Sequence, residues 1–163
     1  MILVSACLLG INCKYNGESN LCEEVLELLK DKGEFIAICP ECLGSLSIPR
    51  DPSEIVQING KQNKILVKSI RGENVTQAFL KGARKALKVA KNNNVKLAIL
   101  RSKSPSCGAG QTYDGTFSGK LVKNDGITAA LLKKHGIRVV TEVDIKNYIW
   151  LREKEKSGTR PLF

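Results

Sequence analysis

The sequence predicts an α/β fold in a single domain, with a mostly parallel sheet, helices on both of its faces and a small peripheral hairpin. Three observations predict it. Apolar β-type runs alternate with amphipathic helical segments along the chain, which is the order of a parallel sheet covered on both sides. A length of 163 residues with 42% apolar content suits one core, and two domains would be crowded. Turn-forming glycines and prolines mostly fall between the periodic segments.

Ile2–Ala6 is a short apolar run that stops at a loop holding Gly10 and Gly17, so it reads as a buried strand. Ser19 offers a helix N-cap. From Leu21 apolar residues recur at Val25, Leu28 and Leu29 as far as Gly33, a C-cap residue, predicting a helix of about three turns. Phe35–Cys39 is the next strand. The stretch from Pro40 to Pro52 is expected to be loop, because its prolines are unsuited to a helix interior. Ile55–Ile58 and Ile65–Val67 flank Asn59-Gly60, a pair suited to a hairpin turn. Thr76 to Lys91 is predicted helical from the stripe of Phe79, Leu80, Ala83, Leu87 and Ala90. Leu97–Leu100 is a further strand.

Ser102 to Asp125 is rich in Gly and Ser, and a loop of that length is expected to be functional or to carry its own hairpin. Tyr113-Asp114-Gly115-Thr116-Phe117 supplies that hairpin, with Asp114 as its turn residue. Ile127–Lys134 reads as a short helix closed by Gly136, with His135 capping its end, Arg138–Val140 as a strand and Val143 to Arg152 as a last helix. A charged tail from Lys154 is expected to fray. The whole is a Rossmann-like sheet spanning residues 1–163 as one domain, and ligands of such sheets bind outside the carboxyl ends of the strands.

No run of 18 or more apolar residues is present, which argues against a membrane-spanning helix. Val4-Ser5-Ala6-Cys7 has the look of a lipoprotein cleavage site, but no Lys or Arg precedes Lys14, so a cytoplasmic location is expected. In that compartment six cysteines point to metal binding or catalysis rather than to disulfides. The net charge of +10 is uneven: residues 1–60 hold 4 Lys/Arg against 9 Asp/Glu, and residues 61–163 hold 22 against 7. The basic half could attract RNA, although Lys81, Lys85, Lys88 and Lys91 read more simply as the solvated face of one helix.

Three cysteines stand where a parallel sheet places its ligands. Cys7 follows the first strand, Cys39 closes the second, and Cys107 lies a few residues after the strand at 97–100. Three thiolates suit a soft metal, either zinc or an iron-sulfur cluster. Cys42 could add a fourth ligand through the C-x-x-C spacing of Cys39-Pro40-Glu41-Cys42, as a closed structural site requires. Cys22 shares an apolar face with Val25 and Leu29 and is assigned to the core. Cys13, beside Lys14, is either reactive or merely packed.

Val4-Ser5-Ala6-Cys7-Leu8-Leu9-Gly10, Cys39-Pro40-Glu41, Pro49-Arg50, Ser104-Pro105-Ser106-Cys107-Gly108, Tyr113-Asp114-Gly115-Thr116-Phe117 and the helix from Gly126-Ile127-Thr128 to Leu132 together resemble the thiouracil desulfurase family. The blocks keep the family's order as far as about Glu142. The resemblance implies a 4Fe-4S cluster held by only three cysteines, Cys7, Cys39 and Cys107, with one iron open. It implies that the open iron takes the sulfur of a thiolated pyrimidine, that water replaces this sulfur, and that uracil and sulfide leave. By the same resemblance, Glu41 and Ser104 are the acid-base and hydrogen-bonding residues. A thiocarbonyl sulfur is soft and prefers iron to hard oxygen donors, so the chemistry is physically sensible. Each residue also has a plainer role. Glu41 could simply pair with Arg50, and Ser104 could simply form a turn.

The chain departs from the family pattern at Asn16, Cys42, Ser45 and Arg101-Ser102-Lys103. Cys42 matters most, because a fourth thiolate would close the open iron. Two other functions are therefore weighed: desulfuration of 4-thiouridine within tRNA, and a non-catalytic metal module with Cys7, Cys39, Cys42 and Cys107 as ligands.

Overall fold

A computed structural model describes residues 1–56 and 65–156. The chain runs β1 (Ile2–Ser5), a 3-10 turn (Ala6–Leu9), α1 (Glu23–Lys32), β2 (Phe35–Ile38), α2 (Pro40–Leu43), β3 (Ser53–Val56) and β4 (Leu66–Ser69). It continues through α3 (Thr76–Asn92), β5 (Leu97–Leu100), β6 (Gln111–Tyr113), β7 (Leu121–Lys123), α4 (Ile127–Lys134), β8 (Arg138–Thr141) and α5 (Glu142–Lys156). The Asn59-Gly60 turn and the residues beyond 156 lie outside the described residues.

Four strands pair in parallel in the order β2-β1-β5-β8. Successive side chains of a strand point to opposite faces, so each central strand feeds two cores. Leu3, Ala98 and Leu100 pack with Ala86 and Ala90 of α3 and with Ala129 and Leu132 of α4. Val4 and Ile99 pack on the other face with Val25 and Leu29 of α1 and Ile145 of α5. This is the expected fold class. The chain leaves β1 toward β2 on one side and returns to β5 on the other, so β1 and β5 form the switch point at which open sheets bind ligands.

Two small antiparallel ribbons stand apart from this sheet. β3 pairs with β4, with Ile55 opposite Val67, and β6 pairs with β7, with Thr112 opposite Val122. Both hairpins were expected, the first from 55 rather than 53.

Two details differ from the sequence expectation. Pro40 begins a helix instead of preventing one, because at the first helical position its missing N–H had no partner to lose. α1 starts at Glu23 with Cys22, not Ser19, as N-cap. The reason is tertiary: the amides of Asn20 and Cys22 donate to the carbonyls of Cys7 and Leu8, both at 2.9 Å, which keeps this segment extended along the 3-10 turn.

Candidate active site

The carboxyl ends of β1, β2 and β5 open onto a cavity of about 440 Å³. Cys7, Cys39 and Cys107 all line it, as do Glu41 and Ser104. The five site residues expected from sequence are thus brought together.

Each thiol is presented by backbone geometry. Cys7 sits in the 3-10 turn, which Gly10 ends in the left-handed conformation at φ 87°. Cys39 is the N-cap of α2, and its carbonyl accepts from the Leu43 amide at 2.9 Å. α2 lies against α3 so closely that a Cβ on Gly82 would strike the Pro40 carbonyl, and one on Gly44 would strike that of Ala78. Cys107 stands in a tight turn for which Ser104 Oγ accepts the amides of Ser106 at 3.1 Å and Cys107 at 3.0 Å. The start of α4 ties that turn down, through the Thr128 amide on the Ser106 carbonyl at 2.9 Å and a 2.8 Å bond between the two hydroxyls.

A second layer of contacts surrounds the thiols. The buried Ser5 hydroxyl accepts the Arg101 amide at 3.0 Å and donates to Cys107 Sγ at 3.4 Å. Arg50 reaches the Cys13 carbonyl at 3.1 Å and the Glu41 carboxylate at 3.7 Å. Glu41 therefore does pair with Arg50, and it also stands 3.6 Å from Cys39 Sγ. Buried Glu142 pairs with Arg101 and accepts from the amide and hydroxyl of Ser102 at 2.8 and 2.6 Å.

The acidities follow from these neighbours. A hydrogen bond from the Cys13 thiol, helped by Asn20 and Arg101, holds Cys7 down to about 7 despite burial. The same Cys13 thiol, with Cys42 and Arg50, holds Cys39 down to about 5. Cys13 itself is pushed far up by those bonds and by burial. Burial pushes Cys107 well up, with the Glu41 carboxylate adding to it and Ser5 opposing. Burial, reinforced by the Cys39 charge and opposed by Arg50, raises Glu41 to about 7.

Cys42 does not line the cavity. It packs with the core and hydrogen-bonds Cys39 from behind, and burial followed by that bond pushes its thiol up to about 11. Cys13 is instead the fourth thiol of the cavity. The sequence left its role open, and its neighbour Lys14 was the only signal. Cys22 is buried beside Val25, as expected, and all six cysteines are free thiols. Asp114 serves its hairpin by accepting the Thr116 amide at 3.0 Å, and His135 Nδ1 lies 2.9 Å from the Leu131 carbonyl at the helix end.

Among the described residues no three His, Cys, Asp or Glu side chains are grouped to hold a single metal ion. Cys7, Cys13, Cys39 and Cys107 all line the one cavity, and such soft donors suit a soft metal, an iron-sulfur cluster included.

A sequence profile of the 2-thiouracil desulfurase family matches residues 2–144. The chain belongs to that family. It is 45% identical over 154 residues to the uncharacterized protein YbbK of Bacillus subtilis (strain 168), covering 91% of this chain and 100% of YbbK. Its fold superposes on the solved structure of a 4Fe-4S-dependent thiouracil desulfidase, TudS, with a TM-score of 0.79 and 37% identity, covering 93% of this chain and 97% of that one. The matched span takes in all of the blocks that run to about Glu142. No helix among its described residues is long and apolar enough to cross a membrane.

Proposed function

We propose that this chain is a 4Fe-4S-dependent desulfidase that converts thiouracil and water to uracil and sulfide. The observation that carries the reading is the meeting of Cys7, Cys39, Cys107, Glu41 and Ser104 on the lining of one cavity. Cys7, Cys39 and Cys107 would hold the cluster, which when bound supplies a soft Lewis acid for the thiocarbonyl sulfur. Cys42 stands outside the cavity and is not assigned as a ligand, and Cys13 lines it as the neighbour of Cys7 and Cys39.

Glu41, fixed two residues from Cys39 and steadied by Arg50, takes a proton from the attacking water and returns it to the departing sulfur. Such assistance is typically worth ~10²–10⁴ in rate. Ser104 uses its oxygen to hold the Cys107 turn, and among the described residues its own proton is donated to none, which leaves it for the substrate. The C=S bond is exchanged for a C=O bond and both protons of the water leave with the sulfur as hydrogen sulfide, so no electron donor is consumed. The reaction suits the cytoplasm, where the six thiols stay reduced.

Protein reconstituted without oxygen is expected to carry four irons and four sulfides per chain and to release sulfide from thiouracil with no added reductant. Cys107→Ala should lose cluster and activity together. One zinc with no inorganic sulfide would overturn the reading in favour of a non-catalytic module.

A second reading, desulfuration of 4-thiouridine in tRNA, draws on Lys14, Arg50, Arg101 and Lys103 lining the cavity. RNA binding that weakens steeply with salt is its signature. Absence of binding at low salt would remove it.

A further inference from the structure

Glu54 is a buried carboxylate that the mechanism above does not use. It stands on β3 and lines the cavity together with Tyr113, which precedes the loop 114–119 of the β6–β7 hairpin, and Gly119 within that loop. Its Oε2 accepts two backbone amides of that loop, Gly115 at 2.9 Å and Phe117 at 3.0 Å. Burying a carboxylate is costly unless it is bonded, and here the bonds come from a segment 61 and 63 residues away in sequence.

The loop is shaped to receive it. Gly115 adopts φ +89° and lies so close to β3 that a Cβ would come within 2.7 Å of the Ile55 carbonyl and 2.8 Å of Val56 Cα. Phe117 also takes a left-handed φ of 57°, which turns its amide back toward the strand. A left-handed phenylalanine in a short loop persists only where the surroundings determine it.

We propose that Glu54 is a positioning residue for the substrate: by clasping the 114–119 loop to β3, it sets the ribbon side of the cavity without touching the cluster-binding thiols. This rests on the desulfidase reading for its substrate and on geometry alone for the clasp. Glu54→Ala should speed hydrogen exchange at the Gly115 and Phe117 amides and raise KM for thiouracil about tenfold, with kcat and iron content near wild type. Glu54→Gln keeps an oxygen acceptor and should restore most of the KM. Gly115→Ala leaves the carboxylate in place but cannot sit against β3, and should reproduce the KM rise. Should Glu54→Ala fail to fold, these two variants carry the test.

Unchanged exchange and KM in Glu54→Ala would overturn the proposal. So would a fall in kcat at constant KM, which would make Glu54 a reacting group. If wild-type protein loaded with four irons does not turn over thiouracil, the proposed function falls, while the exchange measurement still decides the clasp.

Discussion

The cavity has two sides built by different means, one growing from the parallel sheet and carrying the thiols, the other lined by β3 and by the end of β6 with its following loop, joined through Glu54. On the sheet side Cys7, Cys39 and Cys107 each follow a strand of the parallel sheet, and the loops are tied by main-chain bonds such as Thr128 to Ser106. On the ribbon side two separate two-stranded ribbons meet, and the Glu54 side chain makes the junction. The difference assigns them distinct tasks. A group that must grip several metal atoms needs positions fixed by packing, whereas a wall that selects a substrate can be adjusted through a few side chains.

Substitutions can break or sharpen this contrast. The largest effect short of removing a thiol is expected from Gly82→Ala, on the sheet side. Its methyl group would meet the backbone of Pro40 and of Gly44, so α2 must move with Cys39 and Glu41. A loss of about 1–3 kcal/mol in denaturant unfolding, accompanied by a fall in iron bound per chain, is expected. Normal stability and iron content would show that the sheet side is less rigid than described.

Ser5→Ala comes next. It strips the partly buried Arg101 amide of its acceptor and Cys107 of its donor, costing about 1–3 kcal/mol. Hydrogen bonds to cluster sulfurs also set reduction potentials, so the bound cluster should become harder to reduce in an electrochemical titration. An unmoved potential would disconnect Ser5 from the metal centre.

On the ribbon side, Thr76→Val removes a hydroxyl that accepts the Val67 amide at 2.9 Å and donates to the Asn74 side chain at 2.6 Å. Unfolding should cost about 1–2 kcal/mol less free energy than in the wild type, yet iron content should be retained. Loss of iron here would erase the distinction between the two sides. The smallest effect is expected from Lys133→Ala, which breaks a partly exposed pair with Asp125 at 2.7 Å. A change within about 1 kcal/mol and unaltered iron content should be found by the same unfolding and metal measurements.

The legible part of the site was the part that depends on strand order. Cys7, Cys39 and Cys107 each follow an apolar run, and a parallel sheet carries the ends of its strands to one edge. Cys13 was not legible in this way, because it follows no strand. Gly10 turns the chain at φ 87°, the Cys13 amide bonds the Ile11 carbonyl at 2.8 Å, and Arg50 then holds the Cys13 carbonyl, placing the thiol between two distant neighbours. Cys42 misled for the opposite reason. Its spacing from Cys39 is that of a metal motif, but Pro40 starts a helical turn that packs Cys42 into the core behind its neighbour.

Glu54 shows the same limit on the ribbon side. Read along the chain it is one acidic residue in a strand, and its two amide partners lie more than sixty residues away.

By itself the sequence determined the alternation of strands and helices, the sheet they form and the three thiols at its rim, because periodicity and strand order are local properties summed along the chain. Only the tertiary structure decided that Cys13 enters the cavity, that Cys42 stays out of it, and that Glu54 holds a distant loop. Those outcomes depend on where loops close in space, and hydrogen bonds between remote backbone groups leave no periodic trace in the residues that make them.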